Sequence, residues 1–199
     1  MAFFKPPPPL PAPPERWRRP EWMLPDNYLG QPVPTDIELA RSAKVRIVLR
    51  HLIAYPTGIE FQLVGLVHPV ARNDEAVGGF VGRPYYSERN EDPSRLPDGL
   101  FRFGIEFADG SKATTLQDQH IAYHGPNHPP SPWLQPSGGG GSSPGHLNAG
   151  YWVWPLPPPG LLAFVCEWPA LGIPLTRREI DSGPIRAAAV QTTPLWDEE

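Results

Sequence analysis

Residues 43–68 read AKVRIVLRHLIAYPTGIEFQLVGLVH, and this stretch decides the fold class. Four apolar residues in its first half lie on the period of two that is typical of a half-buried β-strand. They are Val45, Ile47, Leu49 and Ile53. The second half resumes the alternation through Ile59, Phe61, Leu63 and Val67. Because Pro56 and Gly58 stand between the halves, where a turn favours them, the stretch predicts a β-hairpin.

Two other stretches have the same pattern. Residues 99–115, GLFRFGIEFADGSKATT, carry four apolar residues on one strand face and the turn pair Asp109-Gly110. Residues 151–156 (YWVWPL) and 161–168 (LLAFVCEW) are separated by PPPG. We interpret these two as strands paired in a third hairpin. One more strand is predicted in IPLTRREI, residues 173–180.

Helix signals are scarce outside the C-terminal region. Proline accounts for 30 of 199 residues, and each proline removes a backbone donor and obstructs the preceding helical turn. The stretch DSGPIRAAAVQTT can form one short helix, with Asp181 or Ser182 as its cap and Pro184 in its first turn.

Several short strands with one helix predict a mainly β fold, an antiparallel β-sandwich, with a closed barrel as the alternative. The turns and strand lengths resemble those of immunoglobulin-like sandwiches in architecture alone. The cysteine–tryptophan–cysteine signature of immunoglobulin domains is absent, because Cys166 is the single cysteine.

The domain organisation predicted from composition has two parts. Residues 1–34 form a proline-rich arm that favours an extended polyproline II path. Residues 35–196 form the β-sandwich domain, with flexible loops at 69–98 and 118–148. The second loop contains PSGGGGSSPG.

Charge and cysteine content narrow the function classes. The net charge is −4, whereas a general nucleic-acid binder usually carries a basic stripe. No apolar run approaches the ~18 residues of a membrane span, and the N-terminus lacks the apolar segment of a signal peptide. We therefore expect a cytoplasmic protein with no membrane or nucleic-acid partner. The scarcity of lysine, with abundant Pro, Ala and Gly, suggests a GC-rich bacterial genome.

The third predicted hairpin raises the main functional question. One face carries Tyr151, Val153, Leu162, Phe164, Cys166 and Trp168, and the other carries Trp152, Trp154, Leu156, Leu161, Ala163, Val165 and Glu167. A strand pair in a two-layer fold needs only one apolar face, so the second must be covered or exposed. The favoured cover is the arm, anchored by Trp17 and Trp22. The alternative is an exposed Trp152/Trp154 platform that stacks sugar rings or a proline-rich partner.

Three histidines are the weak candidates for a metal site. His120, His124 and His128 recur at spacing four, and imidazoles are common ligands of zinc, copper and nickel. Glycine and proline between them break any helix that would align the three rings. The favoured interpretation is a polar loop without a metal or other cofactor.

No catalytic constellation is recognisable. Cys166 lies in an apolar strand, which predicts a buried and unreactive thiol. The sequence therefore favours a non-catalytic binding or assembly module, whose arm docks on the body, on another copy or on a partner protein. The alternatives are a metal-dependent enzyme that uses the histidine-rich loop and a carbohydrate-binding module that uses the tryptophan platform.

Overall fold

The computed structural model describes residues 19–80, 95–116, 128–138, 140–143 and 145–196, and this part of the chain is mainly β. The strands, numbered in chain order, are β1 (Tyr28–Leu29), β2 (Gln31–Val33), β3 (Ile37–Arg41), β4 (Val45–Ala54), β5 (Ile59–Val67), β6 (Arg102–Glu106), β7 (Lys112–Thr114), β8 (Trp133–Pro136), β9 (Gly141–Ser143), β10 (His146–Trp154), β11 (Leu161–Trp168), β12 (Ile173–Asp181) and β13 (Thr193–Pro194). Three short 3₁₀ helices span Pro69–Ala71, Glu75–Gly79 and Pro169–Leu171, and the α-helix α1 spans Gly183–Val190.

The strands form three antiparallel sheets. A seven-stranded sheet has the order β2-β4-β5-β10-β8, with β3 also paired to β4 and β9 also paired to β10. A four-stranded sheet has the order β12-β11-β6-β7. The small third sheet consists of β1 and β13. The longest helix in the described part of the chain is α1, and its eight residues fall well short of the ~20 that a membrane span requires.

The hairpin predicted in residues 43–68 is confirmed. Strands β4 and β5 pair from Val45 opposite Val67 to Ala54 opposite Ile59. The turn closes with a hydrogen bond in which the Tyr55 amide donates to the Gly58 carbonyl oxygen at 2.8 Å.

The predicted alternation in β4 is wrong at one place, because the strand contains a β-bulge. Arg50 lies opposite Gln62 and Ile53 lies opposite Glu60, so two residues of β4 face one residue of β5. His51 occupies the bulge with φ of 52°, in the left-handed region that non-glycine residues seldom adopt. The bulge restores Leu52 to the buried side and leaves Ile53, which was expected in the core, only half-buried.

The hairpin predicted in residues 99–115 is also confirmed, as β6 and β7. Gly110 in its turn has φ of 83°, which glycine adopts without steric cost. The four expected apolar residues are all buried in the core: Phe101, Phe103, Ile105 and Phe107.

The third predicted hairpin is wrong, because its two strands belong to different sheets. Strand β10 pairs with β5, β8 and β9, whereas β11 pairs with β6 and β12. The linker between them is rich in proline, which has no N–H to donate across a hairpin. Its carbonyl oxygens are used instead: that of Pro157 accepts from the Arg186 guanidinium at 3.0 Å, and that of Pro158 from the Ser182 hydroxyl at 2.7 Å. The linker therefore carries the chain from one sheet to the other.

One hydrophobic core contains side chains of both the seven-stranded and the four-stranded sheets. The ring of Phe61 in β5 meets that of Phe164 in β11 edge-on, with centroids 5.5 Å apart, and lies 5.8 Å from that of Phe103 in β6. Tyr151 of β10 lies 5.9 Å from Phe61. The face assigned to Tyr151 and Phe164 does point into this common core, although the strands that carry them are not paired.

The boundaries expected for the arm and for the glycine-rich loop do not match the strands. Within the expected arm, β1 (Tyr28–Leu29) pairs with β13 and β2 (Gln31–Val33) pairs with β4, so both short strands are part of the sheets. Within the expected loop at 118–148, β8, β9 and the start of β10 form the end of the seven-stranded sheet. Part of the loop expected at 69–98 consists of two 3₁₀ helices, and residues 81–94 lie outside the described residues.

The predicted C-terminal helix is present as α1, between β12 and β13. The Asp181 carboxylate accepts a hydrogen bond from the Gly183 amide at 2.9 Å, and Pro184 stands in the first turn. Ser182 is the residue before the helix, but its hydroxyl does not cap the helix, because it donates to the Pro158 carbonyl.

Candidate functional site

The aromatic cluster lies on the face of the seven-stranded sheet opposite the main core. Strand β10 places Trp152 and Trp154 on this face, because residues at period two share a side. Strand β8 runs beside it, with Trp133 opposite Trp154 and Gln135 opposite Trp152. Trp22, Leu24 and Tyr55 pack against the three indoles and complete the cluster.

The three sheet tryptophans are buried. The exposed fraction is 0% for Trp133, 0% for Trp152 and 8% for Trp154. An open stacking platform at Trp152 and Trp154, which was the alternative prediction, is therefore not present in this structure. A sugar ring needs an accessible indole face, and these faces are covered by protein.

The cover is the N-terminal segment, residues 19–25. Its clearest contact is a hydrogen bond in which the Trp152 indole Nε1 donates to the backbone carbonyl oxygen of Trp22 at 2.9 Å. The Met23 amide donates to the Pro20 carbonyl oxygen at 3.0 Å, which turns the segment over the indoles. The Arg19 guanidinium donates to the Leu24 carbonyl oxygen at 2.6 Å and lies 3.3 Å from the Asp26 carboxylate.

Trp22, one of the two anchors expected from the sequence, thus packs against the indoles together with Leu24. The second expected anchor, Trp17, lies outside the described residues.

Some of the polar groups inside the cluster have hydrogen-bond partners among the described residues and one does not. The Trp133 indole donates to the Gln135 amide oxygen at 3.2 Å, which explains why an amide is buried here. The Trp22 indole Nε1 is buried and has no hydrogen-bond partner among the described residues. Tyr55 meets Trp152 edge-on with centroids 5.7 Å apart. Burial raises the pKa of Tyr55, and the negative charge of the neighbouring Glu60 raises it further.

His128 joins the cluster instead of a metal site. Its ring lies 4.7 Å from the Trp22 ring and 4.7 Å from the Trp154 ring, centroid to centroid. Its Nε2 atom lies 3.4 Å from the Glu21 carboxylate, and its Nδ1 atom lies 3.1 Å from the Pro129 carbonyl oxygen. His128 and Glu21 are both exposed side chains, and such pairs contribute about 0–1 kcal/mol. The histidine therefore links the N-terminal segment to the residues that lead into β8.

The other two histidines of the predicted triad, His120 and His124, lie outside the described residues. Within the described ranges, no three side chains of the types His, Cys, Asp and Glu converge closely enough to hold a metal ion.

Cys166 is buried in the main core, with 2% of its surface exposed. Burial raises the pKa of its thiol to about 12, so the reactive thiolate is scarce near neutral pH. The environment therefore agrees with the prediction of an unreactive thiol.

Ionisation of Cys166 is expected to weaken the fold in mild alkali. The unfolded chain releases this proton near pH 9.0, whereas burial raises the pKa in the folded chain to about 12. With the folded pKa raised, the stabilising contribution is complete below pH 9 and is lost as the pH rises toward 12. Between about pH 9 and pH 10, we expect the unfolding free energy to fall by about 1 kcal/mol more in the natural chain than in Cys166→Ala. Urea denaturation at the two pH values measures this difference, and equal losses would contradict it.

Comparisons of this chain with family models, with curated proteins and with solved structures find no match.

Sequence reasoning missed Trp133, because the residues around it were assigned to a loop. The signal that could have found it is the apolar pair Trp133-Leu134, which has no reason to occur in a solvated loop. Both residues are fully buried, on opposite faces of β8.

Proposed function

We propose that this chain is a non-catalytic binding module with a β-sandwich body. Support for the sandwich comes from the packing of Phe61 on Phe103 and Phe164, which joins the two larger sheets through one core. The proposed topology is immunoglobulin-like only in this layered sense.

The observation that carries the binding proposal is the contact between the N-terminal segment and the aromatic cluster. A single side-chain hydrogen bond from Trp152 reaches a backbone carbonyl of an otherwise irregular segment, and two partly buried side chains fill the surface beside it. Aromatic-lined surfaces take proline-rich peptides through the same kinds of contact, in which an indole N–H bonds the peptide backbone and ring faces take its side chains. Here, however, residues 20–23 form a turn and are not extended. In this chain, the surface holds the chain's own residues 19–25.

The proposed recognition element is residues 1–18, which directly precede the segment, residues 19–25, that is bound to the aromatic cluster. Residues 1–18 contain two overlapping motifs of the kind that proline-binding grooves accept, Lys5-x-x-Pro8-x-x-Pro11 and Pro11-x-x-Pro14-x-Arg16. The proposed partner is a protein with an aromatic-lined groove, in the cytoplasm, or a second copy of this chain.

The alternatives draw less support from the described residues. A metal-dependent enzyme would rest on His120 and His124, and His128 is already placed between two indoles. A carbohydrate module based on Trp152 and Trp154 would need both indoles exposed, and both are buried.

Two truncations separate the anchor from the recognition element. We expect removal of residues 1–25 to lower the unfolding free energy by about 2–3 kcal/mol, because Trp22 and Leu24 no longer cover the indoles. It should also expose Trp152 to acrylamide quenching. We expect removal of residues 1–18 to change the unfolding free energy by less than about 0.5 kcal/mol. A Trp196→Phe background keeps the exposed C-terminal indole out of the fluorescence signal.

Capture of a partner by these forms tests the recognition element. The full chain should capture a protein that the chain lacking residues 1–18 does not, although the two are equally stable. Capture of the same protein by both forms would place recognition on the body. An unchanged quenching profile after removal of residues 1–25 would refute the anchor.

A further inference from the structure

A polar groove lies beside the aromatic cluster, on the same face of the seven-stranded sheet. Its volume is about 200 Å³. Strands β4, β5 and β10 and the end of β8 line it with His51, Ile53, Glu60, Gln62, Ser137 and Asn148. Gly150 provides an open floor between the outward-facing side chains of Asn148 and Trp152.

The missing side chain at Gly150 creates the groove. This glycine pairs with Gln62 in β5, in the middle of the sheet, where other residue types form strands better. A Cβ atom built on Gly150 would approach the Ser137 hydroxyl oxygen to 3.0 Å and the Gly138 amide nitrogen to 3.5 Å. Any larger residue here would therefore occupy part of the groove and crowd the Ser137 hydroxyl.

Two irregularities in the sheet flank the floor. On one side, the bulge in β4 turns His51 outward beside Arg50, although strict alternation from Leu49 would have turned it inward. On the other side, the partner of β10 is interrupted, because β8 ends at Pro136 and the next strand, β9, begins at Gly141. A non-glycine residue held at φ of 52° is an unfavourable conformation, and such strain is often retained where a side chain is aimed at a ligand. His51 is the one such residue in the described part of the chain.

The polar groups of the groove have spare hydrogen-bonding capacity. The side chains of Gln62, Asn148 and His51 make no hydrogen bond within the described ranges. The Ser137 hydroxyl oxygen is buried and also has no hydrogen-bond partner there. Amides, imidazole and hydroxyl each donate and accept, so the groove presents both kinds of group within one small volume.

We propose that this groove binds one neutral ring bearing several hydroxyl groups, such as a single sugar residue. Hydroxyl groups both donate and accept, which matches the mixture of amide, imidazole and hydroxyl groups. The side chain of Ile53 offers an apolar patch for the carbon skeleton. The volume is below the ~300–1,000 Å³ of pockets for drug-sized ligands, so it admits one ring and not a nucleotide.

Charge argues against an anion. Among the described residues that line the groove there is no lysine or arginine, and Glu60 contributes a negative charge. Arg50, the neighbour of His51 in β4, instead lies 3.4 Å from the Asp36 carboxylate. A small cation remains the competing ligand class, because Glu60 and the amide oxygens could accept from it.

The test is a titration of the ¹⁵N-labelled full chain with D-glucose, D-galactose, D-mannose and N-acetylglucosamine, and separately with inorganic phosphate and with guanidinium. We expect at least one sugar to shift the side-chain amide signals of Gln62 and Asn148, with a Kd on the order of 1 mM. Gly150→Val should weaken that binding at least tenfold, because the new side chain enters the groove beside Ser137. Gly78→Val is the matched control and should leave the Kd unchanged, since a Cβ at Gly78 meets no atom within 4 Å.

Two further variants keep the test decisive if Gly150→Val does not fold. Gln62→Ala and Asn148→Ala remove amides without hydrogen-bond partners in the described structure, so both should fold and each should weaken sugar binding about tenfold. Shifts caused only by guanidinium or only by phosphate would overturn the proposed ligand class. Absence of any sugar-induced shift at both amides, or equal sugar affinity in Gly150→Val and the natural chain, would overturn the site. None of these outcomes depends on residues 1–18.

Discussion

Replacing Trp152 with alanine is expected to lower the unfolding free energy by about 3–5 kcal/mol, as truncation of a buried aromatic side chain usually does. The indole is fully buried between the sheet and the N-terminal segment, with no exposed surface. Its loss would leave a cavity beside Trp133 and Trp154 and would remove the hydrogen bond to the Trp22 carbonyl oxygen. Domains commonly have about 5–15 kcal/mol of stability, so the variant would be marginal. Urea denaturation followed by circular dichroism measures the change.

The matched control is Trp196→Ala, because Trp196 is the same residue type with 74% of its surface exposed. We expect this variant to remain within about 0.5 kcal/mol of the natural chain. A loss at Trp152 no larger than the loss at Trp196 would show that the aromatic cluster is not covered in solution, and the exposed platform would return as a candidate.

Replacing Phe61 with alanine is expected to cost a similar amount, about 3–5 kcal/mol, for a different reason. Phe61 is fully buried in the main core and contacts Phe103 and Phe164 of the opposite sheet. Its loss weakens the contact between the two sheets and leaves the aromatic cluster intact. The same denaturation experiment applies, and the quenching of Trp152 should remain low in the folded variant.

A double-mutant cycle tests whether Phe61 acts across the sheets. The single variants Phe61→Leu and Phe164→Leu and their combination should give a coupling energy of about 0.5–1.5 kcal/mol, as edge-to-face aromatic pairs do. Strict additivity would mean that the two rings do not contact each other in the folded protein.

The parts of the fold that sequence predicts are those decided by neighbours in the chain. The β4–β5 and β6–β7 hairpins follow from alternation and from turn residues, both of which act over a few residues. Alternation also assigned Tyr151, Val153 and Phe164 to the core face correctly. Partner choice is different, because it depends on distant strands. Strand β10 pairs with β5, some ninety residues away, and no local pattern distinguishes that pairing from a hairpin with β11.

The candidate sites show the same division. Trp152 and Trp154 are visible in the sequence as a second apolar face, but their cover by Trp22 spans 130 residues and needs the folded chain to be seen. The groove had two local signals: the adjacent polar pair Arg50-His51, which interrupts the alternation in β4, and Gly150 inside a strand. Neither signal alone predicts a groove. Only the fold shows that His51 and Gly150 lie on the same face of the seven-stranded sheet.

The pairing of β1 with β13 has a mechanical consequence. Tyr28 lies opposite Pro194, and the Leu195 amide donates to the Asn27 carbonyl oxygen at 2.8 Å, so the two ends of the body leave it side by side. Tension applied at Asn27 and Leu195 would break the hydrogen bonds of the short ribbon one after another. The strands of the larger sheets would bear the load only after the ribbon had opened. A tether on residues 1–18 would act first on residues 19–25, which cover the aromatic cluster, whereas a tether beyond Trp196 would act directly on the ribbon.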